Sequence, residues 1–135
     1  LRLIVSSTQV VANEKGMDEW GAFPRERQRL FDLVDSTGAN GVLLLSGNVH
    51  FTEVSKYNDG RYPLYDFTAS GMTHVNPAYA SAPNAHRVAG PFVEHNIGLV
   101  EIDWDATPSP AIQLTARDVD GQTGLVYELL LGELQ

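Results

Sequence analysis

Two short apolar runs, Leu1–Ser7 and Gly41–Ser46, bracket an amphipathic stretch that opens on Pro24 and stops at Gly38. This order constrains the fold more than any other feature of the chain. Both runs are rich in Leu, Ile and Val, the composition of strands covered on both faces. Between them Leu30, Phe31, Leu33 and Val34 recur at helical spacing, with Arg25, Glu26, Arg27, Gln28, Arg29, Asp32 and Asp35 as the polar remainder. Pro24 suits a first helical turn, where its missing N–H leaves no bond unmade, and Gly38 suits a C-terminal stop. Strand, helix, strand in that order implies a right-handed crossover and parallel pairing of the two strands.

The rest of the chain reads differently. Gln9–Phe23 has no sustained period and contains Gly16, Trp20 and Gly21, so it reads as a long loop, with Trp20 and Phe23 anchoring it against the helix or standing at a pocket rim. Asn58-Asp59-Gly60 predicts a hairpin turn between Thr52–Tyr57 and Tyr62–Thr68. Ser70–Pro91 contains Pro77, Pro83 and Pro91 and reads as irregular. Ile97–Trp104 alternates as a strand, and Asp120-Gly121 predicts a second hairpin between Ala111–Val119 and Thr123–Leu131. The expected class is α/β with mixed sheets: one β-α-β unit feeding mostly antiparallel strands.

Composition bounds the function. The 135 residues suffice for one domain with a modest core, and 43% hydrophobic and 9% aromatic content is that of a globular protein. The net charge of −8, with no cluster of Lys or Arg, argues against nucleic acid as the main partner. It also means that an anionic substrate needs bound cations to invert the local field. There are no cysteines, so disulfides and thiolate ligands are excluded within these residues. No apolar run approaches the ~20 residues that span a bilayer. The chain opens on Leu1 inside a strand-like run, and the expectation is one partial domain, residues 1–135, of a larger protein.

The segment richest in chemistry is Ser46-Gly47-Asn48-Val49-His50-Phe51-Thr52-Glu53. It follows a buried strand, at the carboxyl end where open α/β sheets place ligands. Gly47 permits a turn or a close approach. On an extended backbone Asn48 and His50 project to one side, ~7 Å apart, within reach of one metal ion or a bridged pair. Imidazole suits Zn, Fe or Mn, and an amide oxygen suits harder ions such as Mn or Ca. Taken alone, the tetrad is a weak signal and fits better a strand-end turn with Asn as turn residue and His as its cap.

Short motifs in fixed order add to this. They are Ser6-Ser7-Thr8-Gln9, Trp20-Gly21-x-Phe23-Pro24-x-Glu26-Arg27, Leu45-Ser46-Gly47-x-x-His50-x-x-Glu53, Tyr62-Pro63-Leu64-Tyr65-Asp66-x-Thr68-x-Ser70-Gly71, His86-Arg87-Val88, and Asn96-x-Gly98-x-x-Glu101-Ile102-Asp103. Together they resemble the alkaline phosphatase D-like (PhoD-like) branch of the calcineurin-like metallophosphoesterases, along nearly the whole chain. The resemblance implies the C-terminal portion of a β-sandwich flanked by helices, and a metal-dependent phosphoric ester hydrolase with a phosphate-ester substrate. It implies Fe, Ca, Mn or Zn ions, with a metal-held hydroxide attacking phosphorus, and an extracytoplasmic location. His50 matches the family's metal-binding histidine. Asn48 stands where Asp is commoner, which keeps an oxygen donor and removes a charge.

Glu53 matches the motif too, as an outer acceptor orienting His50 or as a structural ion-pair member. His74 is the candidate for substrate contact or leaving-group protonation, against an exposed loop histidine without a role. His86 with Arg87 offers a phosphate fork or, more simply, packing. Asp66 and Asp103 read as sheet-edge residues, and nothing argues for His95. The family's other ligands lie in motifs absent from these residues, so the chain alone is expected to be inactive, its partner being the missing N-terminal half. Two alternatives stand beside this reading: a non-catalytic β-rich binding module, and a pseudo-enzyme that has lost its metal.

Overall fold

The computed structural model describes all residues 1–135. Eight strands and one α-helix follow in the order β1 (Arg2–Val5), α1 (Pro24–Ser36), β2 (Val42–Ser46), β3 (Thr52–Tyr57), β4 (Leu64–Ala69), β5 (Arg87–Phe92), β6 (Asn96–Asp103), β7 (Ala111–Asp118) and β8 (Thr123–Leu130). Single 3-10 turns occupy Trp20–Ala22, Pro77–Ser81 and Leu131–Leu134. The helix begins at Pro24 and ends where the Thr37 hydroxyl donates to the Leu33 carbonyl at 2.6 Å and Gly38 takes a φ of +61°. Both limits match the pattern read from the sequence.

The strands form two sheets, a five-stranded one ordered β1-β2-β4-β3-β5 and a three-stranded one ordered β6-β7-β8. β1 and β2 pair in parallel across the α1 crossover, as the strand-helix-strand order requires. β4 returns from its hairpin with β3 to lie parallel to β2, so β2 sits between two parallel neighbours. The Asp120-Gly121 turn joins β7 to β8, with Gly121 at φ +77°.

Strand register sorts the side chains between two faces. Leu43, Tyr65, Phe67 and Val54 face the second sheet, where Ile112, Leu114, Leu125 and Leu129 complete a buried layer. The two sheets approach closely at Gly98, where a Cβ would stand 2.4 Å from the Ala69 Cβ. The opposite face carries Leu44, Leu64 and Tyr57, and Phe31 of α1 stacks on Tyr57 with ring centroids 4.4 Å apart.

That second face is also the most polar part of the interior. Ser46, Glu53, Ser55, Asp66 and Thr68 all project there and are all buried, roofed by the Gln9–Phe23 loop. The loop has its own buried segment, Val10-Val11-Ala12, wholly shielded from solvent. Buried backbone outside regular structure needs side-chain partners, and here they come from both sides. Asp66 accepts from the Val10 and Val11 N–H groups at 2.7 and 3.0 Å. Arg27 of α1 donates to the carbonyls of the same two residues at 2.8 and 2.6 Å. Asp66 is therefore no edge residue: it is at the centre of the sheet, and its two oxygens organise the layer above.

Three further expectations are corrected. β1 is not covered on both faces. It lies at the sheet edge with Leu3 50% and Val5 76% exposed, because an apolar run records what a strand could bury and not which neighbours cover it. Ser70–Pro91 is not wholly irregular, since Arg87–Phe92 pairs with β3. The pairing is broken by two register shifts, one between Arg87 and Ala89 and one spanning Gly90, whose φ is +90°, so regular pairing is lost. Trp20 packs against the core and donates to Ser6 Oγ at 3.0 Å, whereas Phe23 is 66% exposed and anchors nothing.

Candidate functional site

β2 ends at Ser46, whose hydroxyl lies between Asp66 Oδ1 at 2.6 Å and Thr68 Oγ1 at 2.8 Å. From this fixed point the chain turns sharply. Asn48 and His50 both adopt left-handed backbone, with φ of +73° and +62°. The extended geometry expected of this loop is thus wrong. Nor does Gly47 supply the turn; a Cβ there would make only ordinary contacts, the nearest at 3.6 Å. Two non-glycine residues at positive φ in one loop carry strain of order 1–3 kcal/mol each, a feature that clusters at functional sites.

The strained loop nevertheless delivers both side chains to one place. Asn48 and His50 line a cleft of about 420 Å³ with Gly16, Met17, Asp18 and Tyr79. The first wall belongs to the Gln9–Phe23 loop and the second to the Pro77–Ser81 turn. Asn76 builds the second wall twice over. Its N–H donates to the His50 carbonyl at 3.3 Å, and its side chain caps the turn by accepting from the Ala78 N–H at 3.1 Å. Tyr79 then lies 6.2 Å from the His50 ring, at 29° to it.

His74 joins this group. Its ring meets the His50 ring edge-on, with centroids 4.5 Å apart. The sequence singled out His74 without placing it beside His50, since the two are separated by a hairpin and an irregular segment. Tyr79 was missed altogether; the Asn76-Pro77 dipeptide, a turn-opening signal, was the only local cue to its position.

Glu53 does not touch His50. Its carboxylate is buried and accepts from Lys15 Nζ at 2.8 Å, Arg87 Nε at 2.6 Å, Gln9 Nε2 at 2.8 Å and Asn84 Nδ2 at 2.9 Å. Burial alone would raise this carboxyl, but the charge of Lys15 and the hydrogen bonds from Lys15, Gln9 and Arg87 outweigh it, holding the group below its ordinary value. Of its two sequence readings, the ion pair is the one with contacts. Arg87 is committed to Glu53 and to the Ala82 carbonyl at 2.9 Å, so it offers no phosphate fork. His86 packs by Tyr57 with Nδ1 3.3 Å from the Lys56 carbonyl. His95 is exposed away from the cleft, and Asp103 lies on an outer strand where it accepts from the Asp105 N–H.

No three of His, Asp and Glu are gathered closely enough to hold a metal ion. The candidate donors are two imidazoles and one amide oxygen, and the Asp18 carboxylate lines the same cleft. In kind they fit a borderline transition ion better than Ca²⁺, which takes six to eight oxygens. In number they are a partial set.

No protein-family model and no curated protein matches the chain. Among solved structures it is similar to the one described as "Structure of PhoD", with a TM-score of 0.59 and 16% sequence identity. The match takes in 98% of this chain and 30% of that one. At this identity the likeness is one of fold: nearly the whole chain has the fold of a part of PhoD, and it spans under a third of that protein's length.

Proposed function

We propose that the chain is the C-terminal portion of a metal-dependent phosphoric ester hydrolase of the alkaline phosphatase or phosphodiesterase type, and that Asn48 and His50 are its contribution to the metal centre. The observation that carries this reading is the strained loop at the end of β2, which turns two potential ligands into one cleft beside His74. The fold likeness to PhoD supports it. The metal, Fe, Mn, Zn or Ca, would supply charge neutralisation and an activated nucleophile.

The chain's own residues have distinct parts. His50 offers a neutral imidazole, and Asn48 an oxygen donor without charge. His74, exposed and edge-on to His50, would hand a proton to a departing alcohol. A net charge of −8 repels phosphate esters until cations are bound, which makes the activity conditional on metal. Because the donors are a partial set, the remaining ligands come from residues beyond these 135, and the chain alone is inactive.

The test compares the 135-residue chain with the longer protein that contains it, in aryl phosphate hydrolysis with and without added metal. The reading requires turnover by the longer protein and none above blank by the chain. Turnover by the chain alone would remove the shared-site proposal. A metal-free pseudo-enzyme is favoured by one observation, the uncharged Asn48, and would show itself as inactivity of the longer protein with every metal.

A further inference from the structure

We propose that Glu53 is a positioning residue: its buried carboxylate ties the two walls of the His50 cleft to one point and so fixes the width of that cleft. The argument begins from where the partners of Glu53 lie. Lys15 immediately precedes Gly16, Met17 and Asp18, which form the first wall. The Lys15 and Gly16 N–H groups donate to Glu19 Oε1 at 3.0 and 3.3 Å, so the turn that carries this wall moves with Lys15 as a unit. Gln9, at the other end of that loop, reaches the same carboxylate oxygen as Lys15.

The second wall is held by the same group. Arg87 bridges Glu53 to the carbonyl of Ala82, the residue that closes the turn carrying Tyr79. Asn84 donates from one amide nitrogen to Glu53 Oε1 and Ser55 Oγ, each at 2.9 Å, while its own oxygen accepts from the His86 N–H. The walls share one other polar tie, from the Ala85 N–H to Glu14 Oε2 at 2.8 Å, and it is exposed. The Lys15 and Glu53 side chains are both fully shielded from solvent and Arg87 is 20% exposed, so the Glu53 ties are those least weakened by water. Glu53 is held by its strand, which pairs with β4 directly opposite Thr68 and with β5 on the other side.

A buried charge that served stability alone would need partners wherever they fell. Here Lys15 adjoins the Gly16–Asp18 wall, and Arg87 reaches the Tyr79 turn through the Ala82 carbonyl. The inference rests on that cleft being the functional one, but its test reads no hydrolysis, so it can fail while the proposed function survives.

The test uses hydrogen exchange and histidine ring NMR on the 135-residue chain and three variants, Glu53→Gln, Lys15→Met and Arg87→Met. Glu53→Gln is expected to raise exchange about tenfold or more in residues 13–18 and 78–87, shift the His50 and His74 ring signals, and leave β6–β8 unchanged. Lys15→Met should loosen only the first wall and Arg87→Met only the second. Wall-specific loosening by these two carries the proposal even if Glu53→Gln fails to fold. The proposal is overturned if Glu53→Gln folds and leaves both walls protected, or if any variant loosens β6–β8 as much as the walls, which is what a merely structural role predicts.

Discussion

Replacing Asp66 separates a hydrogen-bonding role from a charge role. Asp66 Oδ2 accepts from the Val10 and Val11 N–H groups and Oδ1 from the Ser46 hydroxyl, all out of water. Asp66→Ala leaves both N–H groups without an acceptor, while Ser46 keeps Thr68 at 2.8 Å. An orphaned buried donor costs about 1–3 kcal/mol, so two cost about 2–6 kcal/mol. Relief from burying a carboxylate offsets part of this, because burial, ahead of the charge of Glu53, pushes the Asp66 carboxyl up against the pull of its hydrogen bonds. The net expectation is a loss of about 3 kcal/mol at neutral pH. Asp66→Asn is different. Its oxygen can serve both N–H groups while its amide donates to Ser46, whose proton then turns to Thr68. Its cost should stay within about 1 kcal/mol. Urea unfolding followed by tryptophan fluorescence, to which Trp20 and Trp104 both contribute, reads both variants. An Asn variant as damaged as the Ala variant would refute the hydrogen-bond account, and so would an Ala variant without effect.

Two further outcomes follow from packing and charge. Gly98→Ala would place a Cβ 2.4 Å from the Ala69 Cβ and 3.1 Å from the Phe67 ring, forcing the sheets apart. A destabilisation of about 1–3 kcal/mol is expected, visible as a lower Tm, and an unchanged Tm would mean that the two layers are not packed as described. On acidification, the Glu53 network contributes stability above the carboxyl's ordinary value of 4.5 and loses it as pH falls through the lower folded value. Asp66 acts oppositely, since its folded value is raised above 3.8 and the fold gains as pH falls toward that value. Wild type should therefore lose stability faster than Glu53→Gln below about pH 4.5, and parallel acid profiles would contradict the assignment.

Much of the fold was legible because it is set locally. The α1 limits follow from Pro24 and Gly38, and both hairpins follow from their turn residues. What escaped is what distant parts of the chain decide together. Polar residues alternate with apolar ones along β3 and β4, at Glu53, Ser55, Asp66 and Thr68, a pattern that ordinarily marks a solvent face. Here the Gln9–Phe23 loop covers that face, and no local property of the strands announces it. Likewise His50 was legible from its place after β2, but the approach of His74 depends on a hairpin and a capped turn intervening. The left-handed Asn48 had a cue, since Asn tolerates that conformation; His50 had much less of one.

The central claim is that His50 belongs to a metal centre that performs hydrolysis. The direct measurement is metal-dependent aryl phosphate hydrolysis by the longer protein containing this chain, compared with its His50→Ala variant, with folding checked by circular dichroism. The account predicts that His50→Ala abolishes the metal-dependent rate while the spectrum and Tm stay close to wild type. A folded His50→Ala protein that retains its metal-dependent rate would contradict it.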